Sequence, residues 1–490
     1  MKNRTWLLAS MVVASSLSGA AQAPAPRAAR PTEPPHSRPE AMTWRLAEAD
    51  QRYAGIDKAR LMQHVEEQTA IARRYRDNGH PQFWGRIIGS EADAENANWM
   101  MEKFRDFGLS DVHQQSFDLP PQWMPQSWSV IASSNGKALP LDTAQPTYLS
   151  EGTSPEGLDL EAVYVGMASD ADLALARDVK GKAAFVYSTD TSSRHVGVMD
   201  NAVKRLGDRG AAAIFVIQGI PGNLRTQFYP VNSPVPTFSM GQRDGLALRD
   251  LVALSTEPTR VKIRLEVKRV PNLKSGTVWA TLPGMTDENV VVVAHRDGWF
   301  EGANDNAAGV ATALGLAEYF AKVPKEQRRR TIIFLGTTGH HNNSAESGTW
   351  LAQHPETFAK TAVLLNAEHT GAAQTGQNST RLSNGGAAAS WFASGNALAD
   401  LLVKALDTFG VVTYPQSAGS PAGEIGRYFQ FAPAMQVMTG GFVWHSNEET
   451  AASIAPNELV AITRTYAKVI ADSGALSLQD LRKSVAPATR

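Results

Sequence analysis

The chain contains no cysteine. That removes disulfides, a thiolate nucleophile and any cysteine-bound zinc, so a metal would have to sit on histidine, aspartate and glutamate. The chain also lacks a charge bias. Its 47 Lys+Arg stand against 48 Asp+Glu, with no basic block, which argues against nucleic acid or an anionic membrane surface as partner. After the first residues no apolar run is long enough to span a bilayer, so stable membrane insertion is not expected. What is present is an ordinary globular composition, 43% hydrophobic over 490 residues, with room for two or three domains and an ample core.

The first residues read as an export signal. Lys2 and Arg4 precede an apolar or small run from Thr5 to about Gly19, and the small residues around Ala21 to Ala23 offer a cleavage site. Cleavage after Ala21 is the alternative, because Pro24 follows Ala23 directly. An uncleaved anchor is disfavoured because the run is short for a span. Residues 24–43 form a Pro-rich linker that need not fold. The protein is therefore expected outside the cytoplasm, periplasmic or extracellular.

Residues 44–76 have helical periodicity, GRIIGS (85–90) looks like a turn, and Ser90 is placed to cap a helix that stops at Gly108. His64, His80 and His113 read as packing or surface histidines. From 126 to 270 the texture shifts to short strands and turns, with VKGKAAFVYS and AAAIFVIQG as strands and His195 isolated. This segment reads as an inserted domain that walls a cleft or reads substrate.

The segment from 271 to 476 is organised around VVVVAHRDGWFEGANDNAAG, Val290 to Gly309. Five apolar residues mark a strand buried on both faces. His295 and Asp297 stand at its carboxyl end, where ligands bind in open α/β sheets. A loop carrying Asp305 follows, then a small-residue helix. Three further strands end likewise: RRRTIIFLGTTG before His340 and His341, TAVLLNAEHTG with Glu368 and His369, and PAMQVMTGG before His445. Strands alternating with helices predict an α/β fold with a mostly parallel sheet flanked by helices. Histidines and carboxylates gathered at strand ends predict a metal site. A short tail, 477–490, closes the chain.

His295-x-Asp297 with GANDNAAG, LNAEHTG and WHSNEET, in that order, resembles the co-catalytic zinc aminopeptidases, the group that includes glutamate carboxypeptidase and the transferrin receptor. The resemblance runs from about Gln68 to the closing helix, and the 126–270 insert resembles that group's protease-associated domain. It implies an exported hydrolase of peptide or small amide bonds, an exopeptidase, with one or two Zn2+ or other divalent ions. It implies that His295 and Glu368 bind one ion, that His341 and His445 bind the second, and that Asp305 bridges both. Asp297 would orient His295. The group usually has Glu-Glu where this chain has His340-His341. His341 can replace the second glutamate as a ligand, and His340 then stands at the general-base position. Glu301, Glu346 and Glu448 are other candidate bases. A binding protein without turnover, or an aminoacyl cyclisation like that of the related glutaminyl cyclases, are the alternatives. Whether the chain forms a homodimer is left open.

Overall fold

The computed structural model describes residues 46–483 apart from 176–177, 189–196, 232, 343–349, 351–352, 376–381, 417–420 and 442. The export signal, the linker, His195, Glu346 and the last residues of the tail lie outside the described residues.

Strand Thr286–His295 carries the five-residue apolar run and sits inside an eight-stranded sheet. It pairs in parallel with Arg330–Thr337 on one side and Thr361–Asn366 on the other. Thr361–Asn366 pairs in parallel with Ala434–Thr439. Antiparallel Lys274–Leu282 and Ser110–Asp118 extend one edge, and Ala389–Ala393 and Thr413–Pro415 extend the other. The expected α/β architecture with a parallel heart is what the chain forms.

Both faces of the central strand are covered, which is why its sequence is apolar without alternation. Val290, Val292 and Ala294 join one core with Met100, Leu314 and Tyr466. Val291 and Val293 join another with Trp350, Phe358 and Tyr428. Each such valine contributes about 1.5–3 kcal/mol of burial. Helices Lys58–Asp77, Glu91–Asp106, Gly309–Ala321, Gly395–Thr408 and Pro456–Ser473 pack on the first face. The helix after the central loop is rich in small residues because its neighbours lie close: a Cβ at Gly315 would stand 2.4 Å from Leu61 Cδ2. Ser90 caps its helix, accepting the Asp93 N–H at 3.3 Å.

A second eight-stranded sheet is built from residues between Gln122 and Val270. The long antiparallel pair Gln122–Ser134 and Arg260–Val270 carries the chain in and out. Its middle is parallel, through Leu158–Tyr164, Ala183–Ser188, Ala213–Gln218 and Thr237–Met240. Phe185, Phe215 and Phe238 stack across it with ring centroids 4.5 and 5.0 Å apart. Among the described residues no helix is long and apolar enough to cross a membrane.

Candidate metal centre

The turn after His295 is wrapped around a buried guanidinium. Arg86 donates from Nε to the Arg296 carbonyl at 2.9 Å and from its terminal nitrogens to the carbonyls of Glu301 and Gly302. Burial lowers its pKa to about 10, so it stays a cation at neutral pH. Asn96 adds a 2.7 Å bond to the Arg296 carbonyl, and the Arg296 guanidinium pairs with Asp93. Gly302 has φ 51°, and a Cβ there would stand 2.5 Å from the Asp305 carbonyl oxygen. GRIIGS is therefore more than a turn. Gly85–Arg86 pairs as a short strand with Gly298–Trp299 and delivers Arg86 under the loop.

Asp305 is the hub of the site. Its Oδ2 lies 3.0 Å from His341 Nε2 and 2.7 Å from His445 Nε2. Its Oδ1 lies 3.2 Å from His295 Nε2 and 3.2 Å from His369 Nε2. Each oxygen of one carboxylate thus faces two imidazoles from separate chain segments. Asp297 stands behind them: its Oδ2 accepts the His341 backbone N–H at 3.1 Å and lies 3.2 Å from His341 Nδ1, while its Oδ1 is 3.5 Å from His295 Nδ1. The brace expected for His295 therefore engages His341 more closely. A carboxylate on Nδ1 leaves Nε2 free for a ligand.

Glu368 and His340 complete the cluster. Glu368 Oε2 accepts from Asn366 Nδ2 at 2.7 Å and from the Glu424 backbone N–H at 2.9 Å. Its Oε1 is 3.9 Å from His340 Nε2. The His340 ring stacks on His295 at 4.2 Å with 12° between planes. Its side chain is 13% exposed while that of His341 is 1% exposed, so His340 faces the open side.

Burial opposes charge throughout this cluster. At His295 contacts to Asp297 and Asp305 outweigh burial and hold the pKa well above the ordinary histidine value. At Asp305 burial is outweighed by His341, His369 and His295, which hold the carboxyl well below its usual range. His340 has no such compensation: burial, then the rings of His295 and His341, push its pKa well down.

The residues fit a divalent cation. His295 Nε2, His369 Nε2 and Asp305 Oδ1 are all buried and, among the described residues, without a hydrogen-bond partner, although each nitrogen lies 3.2 Å from that oxygen. Atoms that face a shared point rather than each other behave this way. Ligands held about 2.0–2.1 Å from a tetrahedral ion stand roughly 3.3 Å apart. Three ligand groups, His295/Asp297/His341, His295/Glu368/His369 and Asp305/His341/His445, have their donor atoms within 4.8 Å of one another.

All the expected site residues, His295, Asp297, Asp305, His340, His341, Glu368 and His445, meet here. Of the other candidate bases, Glu301 is tied to Arg73 at 2.7 Å and Glu448 is exposed. Four residues went unread in the sequence. Glu449 is buried under Asp305 and His445, and its only signal was its place four residues after His445. Glu424 is buried with Oε2 accepting from Thr337 Oγ1 at 2.8 Å. Arg86 is the third. Tyr229, from the second sheet's loops, sets its ring 5.3 Å from His445 and 5.1 Å from Trp299. No local pattern marked any of the last three.

Residues 277–470 match the model of peptidase family M28. Comparison with curated protein sequences gives no match. Among solved structures, a peptidase M28 precursor from Shewanella amazonensis superposes with a TM-score of 0.64 at 18% identity, covering 87% of this chain and 97% of that one. A zinc aminopeptidase from Bacillus subtilis gives 0.60 at 17%, covering 84% and 94%. An aminopeptidase from an Aneurinibacillus species gives 0.55 at 17%, covering 86% and 95%. At such identities the likeness is one of fold, and it extends across both sheets. The segment that matches the peptidase family M28 model is thus the one that holds every candidate ligand from His295 to His445.

Proposed function

We propose that the protein hydrolyses peptide or small amide bonds as a zinc-dependent exopeptidase. The observation that carries this reading is the Asp305 carboxylate, with two imidazoles on each oxygen, inside the segment that matches the peptidase family. In this reading His295 and Glu368 would hold one ion, His341 and His445 would hold a second, and Asp305 would serve both. When bound, zinc supplies a Lewis acid that polarises a carbonyl and makes water nucleophilic at neutral pH. Asp297 keeps His341 and His295 in register. His340, on the open side of the cluster, accepts the proton that the attacking water loses and returns it to the leaving amine. Its ring is fixed for that task by stacking on His295.

The same reading takes residues 126–270 as a protease-associated insert and residues 44–125 with 271–476 as the catalytic domain. Tyr229 supports this, since it brings the second sheet over His445. Export by residues 1–23 belongs to the reading too, on the charged start and the apolar run that follows.

A second reading, a binding protein without turnover, is favoured by two observations: a histidine rather than a carboxylate stands at 340, and Glu301 is committed to Arg73. Elemental analysis of the purified protein, paired with aminoacyl, dipeptide, ester and Gln-terminal probes, separates the two. The expected result is about one to two zinc ions per chain and hydrolysis that chelation abolishes. Metal without turnover on any probe selects the binding protein. Cyclisation of the Gln-terminal probe in place of hydrolysis moves the assignment to an aminoacyl cyclase. A protein that takes up no metal ends the metallopeptidase reading.

A further inference from the structure

The family pattern puts the ligand of the first ion at Glu368, but the neighbouring His369 is the side chain that reaches Asp305. Its Nε2 lies 3.2 Å from Asp305 Oδ1, matching His295 Nε2 at 3.2 Å. Neither nitrogen is aligned to hydrogen-bond that oxygen, and all three atoms are buried without another partner among the described residues. Glu368 is placed differently. Its Oε2 is occupied by Asn366 Nδ2 and the Glu424 N–H. The carboxylate is also wedged against Gly423, where a Cβ would stand 2.5 Å from Oε2.

The backbone at His369 is built for this orientation. Its φ is 53°, a left-handed value that costs a non-glycine residue on the order of 1 kcal/mol or more. Three hydrogen bonds hold it there. The His369 N–H donates to Asn306 Oδ1 at 3.1 Å, and its carbonyl accepts from the Thr439 N–H at 2.8 Å and from Thr439 Oγ1. The ring then rests edge-on to Trp444 at 5.4 Å. Strain kept at one histidine by three long-range bonds, with its imidazole turned to the hub carboxylate, has no packing purpose in view.

We propose that His369 is a metal ligand of the ion at Asp305 Oδ1, alongside His295, with Glu368 beside it as the fourth donor. This rests on the metal-dependent reading above. Both ion positions then carry two imidazoles and one oxygen of the same aspartate. Nitrogen-rich positions of this kind select zinc over manganese or magnesium.

The test is zinc titration of the apo protein by calorimetry, with elemental analysis after dialysis, on the wild type and on His369→Asn. Asparagine tolerates a left-handed backbone and is too short to reach Asp305. Zinc-free wild type and variant are expected to melt alike, and their melting curves report on folding separately from metal. The variant is expected to lose one zinc equivalent, or to bind it more than about tenfold more weakly, while the other equivalent is unchanged. A variant that takes up as much zinc as the wild type with the same affinities overturns the assignment and leaves the metallopeptidase reading standing. A wild type that takes up no zinc removes that reading itself, and the wild-type titration alone reveals it.

Discussion

Glu449 holds Asp305 by its backbone: Glu449 Oε1 accepts the Asp305 N–H at 2.7 Å, and Oε2 accepts the His445 N–H, also at 2.7 Å. One buried carboxyl therefore sets the spacing between the hub aspartate and one of its imidazoles. Burial, then the charge of Asp305, raise its pKa to about 7. Replacing it by alanine leaves two buried N–H groups without acceptors, at about 1–3 kcal/mol each. Glu449→Ala should lose roughly 2–6 kcal/mol in urea unfolding and retain less zinc than the wild type. Wild-type stability together with wild-type zinc content in that variant would refute the role.

His340 and His341 are adjacent yet should behave oppositely. His340→Ala removes a ring on the open side of the cluster and should leave zinc content intact while hydrolysis falls by about 10²–10⁴, the usual worth of a general base. His341→Ala removes the imidazole that faces Asp305 Oδ2 and should lower zinc content. Equal metal loss in the two variants would mean that the pair has been assigned the wrong way round.

The Arg296–Asp93 pair lies under the site with Arg296 fully buried. Asp93 also accepts from Ser275 Oγ and from the Gly89 N–H at 2.9 Å. Removing the carboxylate strands a buried cation, which costs about 3–5 kcal/mol. Asp93→Ala should show that loss by denaturant unfolding. A change below about 1 kcal/mol would place the pair among surface bridges in strength.

His64 makes stability depend on acid. Burial, then Arg60 and Lys103, lower its pKa to about 4. The unfolded chain binds a proton there below about 6.5 and the folded chain only below about 4, so the unfolded state holds more protons between the two. Stability should therefore fall as pH drops from about 6.5 to about 4, by up to about 3 kcal/mol. Unfolding curves of wild type and His64→Leu at pH 7, 5.5 and 4.5 measure it. The expected result is a smaller acid loss in the variant, and parallel losses would show that this ring does not titrate with folding.

The donors clustered around Asp305 were largely legible before the fold was seen. Val290–Ala294 announced a strand covered on both faces, because a strand with helices on one side and aromatics on the other has no polar face to show. A histidine and an aspartate at the end of such a strand stand where a parallel sheet opens to ligands. His295, the His340–His341 pair and His445 could be grouped on that ground, and the family resemblance singled out Asp305 and His341. The choice between neighbours could not be read. Glu368 and His369 are both able to bind metal, as Glu448 and Glu449 are both able to brace a loop. Only the left-handed turn at His369, held by Asn306 and Thr439, decides which of the first pair faces Asp305.

The amino-acid sequence by itself determined the alternation of strands and helices, the absence of any sulfur ligand and the kinds of donor gathered at the sheet's carboxyl edge. Those follow from residue type and spacing, which are local properties. The tertiary structure decided which donors converge, through Arg86 beneath the loop, Glu449 beneath the hub and Tyr229 reaching over from the second sheet. Coordination tolerates errors of only a few tenths of an ångström, and positions of that accuracy come from hydrogen bonds between segments far apart in the chain.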